Sequence, residues 1–167
     1  MPKPYIQKLI NMKLLDHKNG FALEVGGGPG DDARSIAELG YTVESFDKKE
    51  GKDLRDFTFE KNKYDFINCN NVLPFIHDKN EVAKALLSMS ESLKKGGTLH
   101  FTLFGENDPW AKTYPDTMSF FTFAEANKLV DSLPLACVVR SSEEYVGKTM
   151  AGTDKFWHML RFVLVAK

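Results

Sequence analysis

The segment 23–30, LEVGGGPG, is the feature that most constrains the fold of this chain. Its first three residues end the apolar run 21–25, which is typical of a strand buried on both faces of a parallel sheet. Its four glycines predict a turn with positive φ angles, where a ligand can approach bare backbone. Residues 31–39 follow with a helical pattern, and residues 41–46 predict a second strand that leads to Asp47. This order indicates a nucleotide-type cofactor pocket at the carboxyl edge of a parallel sheet.

The spacing of the glycines separates two classes of cofactor. They alternate as G-x-G-x-G from Gly26 to Gly30, and the third glycine of a dinucleotide motif would fall at Asp31. Asp31 and Asp32 also place two carboxylates in the first helical turn, where a pyrophosphate needs a helix end free of anions. Glu24 supplies an acid close to where cationic groups of a ligand would lie. The pattern favours S-adenosylmethionine (SAM), which carries a sulfonium and an ammonium group, and a nicotinamide dehydrogenase is the alternative.

The chain resembles the class I SAM-dependent methyltransferases. Residues 24–30 match the family's E/D-x-G-x-G-x-G motif, Asp47 matches the acid after the second strand, and later elements fall in the expected order. The resemblance implies a single α/β domain over residues 1–167, with a Rossmann-like, doubly wound, mostly parallel sheet of seven strands and an antiparallel last strand. Residues 120–123 and 155–161 are further similar to small-molecule methyltransferases of the tellurite-resistance type.

The resemblance also implies a binding site for SAM, with S-adenosylhomocysteine as the product. Asp47 is expected to accept hydrogen bonds from both ribose hydroxyls. The region after the second strand is shorter than in the family, so Asp53-Leu54 is the best match for the adenine-binding pair and Asp56-Phe57 is the alternative. Asn70 falls at the end of the next family strand, beside the sulfonium. The expected cofactor-binding residues are Glu24, Gly26, Gly27, Gly28, Gly30, Asp47, Asp53, Leu54 and Asn70.

Methyl transfer is an in-line displacement in which the protein mainly aligns the reactants. His158 is the candidate general base, and the alternative is a strand histidine with a structural hydrogen bond. Trp110 either stacks on an aromatic acceptor or closes its loop. Residues 70–75 hold one proline and do not match the N/D-P-P-Y/F element of nucleic-acid amino-methyltransferases. We therefore expect a small-molecule acceptor; the alternatives are a SAM-binding domain without activity, and a protein or RNA methyltransferase that needs a partner.

Composition limits the partners and the compartment. A formal net charge of −1 gives no electrostatic footprint for nucleic acid. No apolar run approaches the length needed to cross a membrane, and Cys69 and Cys137 each fall in a predicted strand as unpaired apolar groups. We expect a cytoplasmic protein with no membrane or nucleic-acid partner and no metal site. The sequence indicates no oligomeric state.

Near the carboxyl terminus, residues 141–155 read as a polar connection. They precede an apolar last strand over residues 157–165. Within that strand, Arg161 is expected on the surface, and the alternative is that it binds an anionic substrate.

Overall fold

The computed structural model describes residues 2–16, 19–26, 30–46 and 53–167. In these ranges the strands are β1 Phe21–Val25, β2 Thr42–Phe46, β3 Tyr64–Cys69, β4 Leu93–Phe104, β5 Ala136–Lys148 and β6 Asp154–Val165. The helices are α1 Pro4–Asn11, α2 Asp31–Glu38, α3 Lys79–Ser92, α4 Trp110–Thr113 and α5 Phe123–Asp131, with single 3-10 turns at Leu54–Asp56 and Leu73–Phe75. Across these four ranges no helix has both the length and the apolar character that a bilayer span requires.

The strands form one sheet in the order β2-β1-β3-β4-β6-β5. β2, β1, β3 and β4 are parallel, and β6 runs antiparallel to both of its neighbours. This confirms the doubly wound, mostly parallel sheet with an antiparallel last strand. The count differs from the prediction, because the described residues hold six strands rather than seven. Residues 47–63 separate β2 from β3, and each parallel crossover takes roughly a dozen residues or more, so two crossovers and a further strand do not fit.

Helices cover both faces of the sheet, because the central strands place apolar side chains on both faces. On one face, Ile6 of α1 and Ile36 of α2 are fully buried against Ala22 and Phe66. The opposite face carries the larger core, built with α3 and α5. Its fully buried members include Leu23, Ile67, Leu86, Leu99, Phe101, Ala126, Leu160 and Phe162. Helix α1 therefore packs against the sheet.

The expectation of a polar connection over residues 141–155 is wrong. Most of that segment is strand, because β5 and β6 pair continuously from Ser141 opposite Arg161 to Lys148 opposite Asp154. The last pair that β6 forms with β4 is Phe104 with Met159, so the hairpin continues beyond the end of β4. In β5 the residues from 142 to 146 are all exposed, whichever face of the hairpin they lie on, and such a strand needs no apolar alternation to form its ladder.

Candidate active site

The carboxyl ends of β1, β3 and β4 meet at one edge of the sheet, where open α/β sheets bind their ligands. Gly26 follows β1, Asn70 and Asn71 follow β3, and Gly105 follows β4. Gly26 has φ +67°, its N–H donates to the Phe46 carbonyl at 2.7 Å, and a Cβ there would lie 2.3 Å from Val72 Cγ2. A side chain at position 26 would therefore displace the segment that follows β3.

The glycine turn is described at its two ends. Gly30 has φ +85° and precedes the first residue of α2, whose first turn contains Asp31 and Asp32. Gly27, Gly28 and the ribose-binding candidate Asp47 lie outside the described residues.

A row of polar side chains crosses the sheet on the α1 face, just below this edge. Glu24 is opposite Asn68, and Asn68 is opposite His100, so neighbouring strands bring the three side chains together. Asn68 Nδ2 donates to Glu24 Oε2 at 2.8 Å, and His100 Nδ1 lies 2.6 Å from Asn68 Oδ1. Arg161 of β6 completes the row, with one guanidinium nitrogen 2.6 Å from His100 Nε2.

The direction of these hydrogen bonds follows from the guanidinium, which can only donate. His100 Nε2 must accept from Arg161, so the ring proton is on Nδ1 and donates to Asn68 Oδ1. The Asn68 amide nitrogen is then left to donate to Glu24 and, at 3.1 Å, to the Tyr5 hydroxyl. Arg161 is therefore not the freely exposed surface residue that the sequence indicated, because its contacts across the sheet leave it only partly exposed; this expectation is corrected.

Helix α1 is held to the same row through its first turn. The Tyr5 hydroxyl donates to Asp32 Oδ2, and the Tyr5 ring stacks on His100 with centroids 4.4 Å apart. Lys3 Nζ lies 3.2 Å from Asp32 Oδ1. Asp32 therefore anchors α1 beside the glycine turn. This is the same acid whose place in the first turn of α2 disfavours a pyrophosphate.

Burial sets the protonation of the row. It raises the pKa of Glu24 to about 8, against the hydrogen bond from Asn68, and Asp32 adds a smaller upward effect. Burial, with the Arg161 charge, holds the pKa of His100 well below its usual value, so the ring is neutral. Burial also lowers the pKa of Arg161. Glu24 is therefore a buried carboxyl that would gain from a nearby cation, which fits the sulfonium and ammonium groups of SAM.

Asn70 lies where the sequence placed it, at the end of β3. Thr102 of β4 accepts a hydrogen bond from the Asn71 backbone N–H at 2.8 Å, and its hydroxyl lies 3.2 Å from Asn70 Oδ1. Asn71 has φ +60°. The turn after β3 is thus fixed by β4, and the partly exposed Asn70 amide remains at the edge beside Gly26.

Asp53 and Leu54 have local partners. Asp53 begins the 3-10 turn and accepts from the Arg55 backbone N–H at 2.9 Å, while Arg55 also bridges to Glu81 of α3. Leu54 is buried in the large core. The runner-up Phe57 stacks on Phe46 at the end of β2, with centroids 4.4 Å apart. The roles of Asp53 and Leu54 toward adenine stay predictions.

His158 lies at the same edge, below the loop that follows β4. Its Nδ1 accepts from the Asn107 backbone N–H at 3.0 Å, so the ring proton is on Nε2, 2.9 Å from Ser142 Oγ. A Cβ on Gly105 would lie 2.1 Å from the His158 ring. Both ring nitrogens are thus engaged in holding the loop, and a role as general base stays a prediction that requires the Asn107 contact to open.

A second buried charge pair lies beyond the end of β4 and was not recognised from the sequence. Lys155 Nζ is 2.7 Å and 2.8 Å from the two carboxylate oxygens of Asp108, and both side chains are almost fully buried. The ammonium is 4.0 Å from the Trp157 ring centroid and 4.3 Å from that of Trp110. No local pattern indicates this pair, because the sequence assigns Lys155 to a polar connection.

A family described as a methyltransferase domain matches residues 2–139. No curated protein sequence matches the chain significantly.

Solved structures share the fold. A SAM-dependent methyltransferase from Methanosarcina mazei is 15% identical, with a TM-score of 0.74 over 98% of this chain and 97% of that one. TehB from Haemophilus influenzae is 17% identical, with a TM-score of 0.73 over 96% of this chain and 62% of that one. The 1,6-didemethyltoxoflavin-N1-methyltransferase of Burkholderia thailandensis, solved with its acceptor and S-adenosylhomocysteine, is 15% identical, with a TM-score of 0.69 over 98% and 77%. The chain belongs to the class I SAM-dependent methyltransferases.

Proposed function

We propose that this enzyme transfers the methyl group of SAM to a small-molecule acceptor by in-line displacement. The observation that carries the proposal is the buried Glu24 carboxyl on β1, two residues before Gly26, at the edge where β1 and β3 end. The cofactor supplies an activated methyl group on a sulfonium. Glu24 and Asn70 are proposed to bind the cationic portion of SAM. The backbone of the glycine turn would lie against the cofactor, and Asp47 would bind its ribose.

The acceptor end of the site supports a small molecule. The segment between β4 and α5 contains the short helix α4 and loops, and no separate substrate domain is present in the described ranges. The Burkholderia thailandensis relative in fold acts on 1,6-didemethyltoxoflavin, a small molecule. Both thiols of the described residues, Cys69 and Cys137, are free, which supports the proposed cytoplasmic location.

A second candidate is a methyltransferase that depends on a protein partner. One structure with this fold is a complex between the Haloferax volcanii Trm112 methyltransferase activator and a methyltransferase, 16% identical with a TM-score of 0.67. A third is a SAM-binding domain without activity, for which the shortened region between β2 and β3 is the motivation. Turnover of small acceptors by the isolated chain would exclude both.

The cofactor part of the proposal is tested at Asp47. We expect wild-type protein to bind S-adenosylhomocysteine in isothermal titration calorimetry, and Asp47→Ala to weaken binding at least ten-fold, because a carboxylate that accepts two charge-assisted hydrogen bonds contributes about 1.5–3 kcal/mol for each. Asp116→Ala, an exposed acid in the loop before α5, is the control and should bind normally. Equal affinities for the two variants would contradict the assignment of Asp47.

A further inference from the structure

Three aromatic rings form a continuous surface at the acceptor end of the site. Phe75 is the last residue of the 3-10 turn Leu73–Phe75 after β3, and Trp110 and Tyr114 lie in the segment after β4. The Trp110 ring meets Phe75 at 6.4 Å and 60°, and Tyr114 at 6.0 Å and 79°. Phe75 is 53% exposed and Tyr114 is 45% exposed. We name Phe75, Trp110 and Tyr114 the aromatic wall.

The position of the wall argues for a ligand. Single exposed apolar residues are common on protein surfaces, whereas adjoining exposed rings at the ligand-binding edge of an α/β sheet are typical of a binding surface. Phe104, the last residue of β4, supports the aromatic wall from behind. Its ring centroid lies 6.2 Å from that of Phe75 and 6.0 Å from that of Trp110. The aromatic wall therefore presents preformed ring faces and edges to whatever occupies the crevice.

The charge behind the wall limits what it can bind. Lys155 Nζ contacts Trp110 and Trp157, and the Asp108 carboxylate lies on its other side. The positive end of this pair therefore faces the rings. A cationic ligand on the wall would share the Trp110 ring with an ammonium that already occupies it, which weakens a second cation–π interaction. A neutral or anionic π system meets no such competition.

We propose that the aromatic wall binds the flat ring of an uncharged or anionic aromatic methyl acceptor and disfavours cationic amines. This inference rests on the proposed methyl transfer. A phenolic oxygen or a nitrogen of the acceptor's aromatic ring would donate its lone pair to the methyl carbon of SAM. The carbon–sulfur bond would break with its electron pair remaining on sulfur, which gives S-adenosylhomocysteine. An uncharged O–H or N–H acceptor would lose its proton to solvent, and an anionic acceptor carries no such proton.

The test measures binding rather than turnover. Wild-type protein is titrated with 2-naphthol, with the cationic isostere N-methylquinolinium and with the non-aromatic cyclohexanol, followed by tryptophan fluorescence and calorimetry. Each titration is run with and without saturating S-adenosylhomocysteine. We expect 2-naphthol to bind at least ten-fold more tightly than either of the other two. Equal binding of N-methylquinolinium or cyclohexanol would overturn the proposal.

Variants assign the binding to the wall. Phe75→Ala and Tyr114→Ala change exposed rings and should weaken 2-naphthol binding at least five-fold while leaving the affinity for S-adenosylhomocysteine unchanged. Phe156→Ala is the matched control, since Phe156 is an exposed ring on β6 that faces away from the side bearing Lys155 and Trp157. Wild-type 2-naphthol affinity in Phe75→Ala and Tyr114→Ala would overturn the inference. If the wild-type protein did not bind S-adenosylhomocysteine, the proposed function would be refuted. The 2-naphthol titrations run without S-adenosylhomocysteine would still decide the role of the aromatic wall.

Discussion

If Glu24 binds the cofactor as proposed, this one buried side chain makes cofactor binding depend on pH. It lies on β1 with a hydrogen bond from Asn68, and Asp32, Lys3, Tyr5 and Cys69 are charged or titratable groups near it. With a pKa of about 8, the free carboxyl is mostly protonated at neutral pH. A bound cation favours the carboxylate, so cofactor binding should release a proton.

We therefore expect the affinity for SAM to rise with pH below about 8, by up to roughly ten-fold for each pH unit, and to level above it. Calorimetry between pH 6 and pH 9, in buffers of different ionisation enthalpy, measures both the affinity and the proton release. Glu24→Gln should bind more weakly at pH 8 and show no proton release from this site. An affinity that does not change with pH in the wild-type protein would show that Glu24 is not beside the cationic groups.

At the scale of secondary-structure elements, helix α5 depends on its first turn. Thr122 Oγ1 accepts from the Glu125 backbone N–H at 3.1 Å, and the Glu125 carboxylate accepts from the Thr122 backbone N–H at 3.2 Å. Lys79 and these bonds lower the pKa of Glu125. This is the capping box that the sequence T-x-x-E indicates.

Removing this cap should weaken the packing of α5 on the sheet. We expect Thr122→Ala to lower the free energy of unfolding by about 1 kcal/mol, because an N–H in the first turn loses its acceptor. Thr122→Ser keeps the hydroxyl and should lose less than half of that. Urea unfolding followed by circular dichroism measures both variants. If Thr122→Ala and Thr122→Ser unfold at the same midpoint, the cap does not contribute as proposed.

The elements that the sequence predicted are those with local signals. The apolar run 21–25, the glycine turn and the helical pattern over residues 31–39 each depend on residues close together in the chain. The Glu24–Asn68–His100–Arg161 row could not be predicted, because it depends on which residues of four strands lie side by side. The β5–β6 hairpin was missed for a related reason: its exposed residues lack the apolar alternation from which strands are recognised.

At the scale of the whole molecule, one buried ion pair links the loop after β4 to the beginning of β6. Asp108 belongs to the loop after β4, and Lys155 is the second residue of β6. The Asp108 carboxylate also accepts from the Trp110 backbone N–H at 3.0 Å and the His158 backbone N–H at 3.3 Å. The pair therefore joins the loop, the hairpin and the rear of the aromatic wall.

Removing one charge of this pair should lower the free energy of unfolding more than removing both charges. Lys155→Met leaves the Asp108 carboxylate buried without its partner, and we expect a loss of about 3–5 kcal/mol in the free energy of unfolding. Asp108→Asn combined with Lys155→Met removes both charges while the Asn oxygen can still accept from the backbone, so much of the stability should return. Urea unfolding of the two variants measures the difference. A double variant no more stable than Lys155→Met would mean that Lys155 stabilises the fold through its contacts with the rings and not by neutralising Asp108.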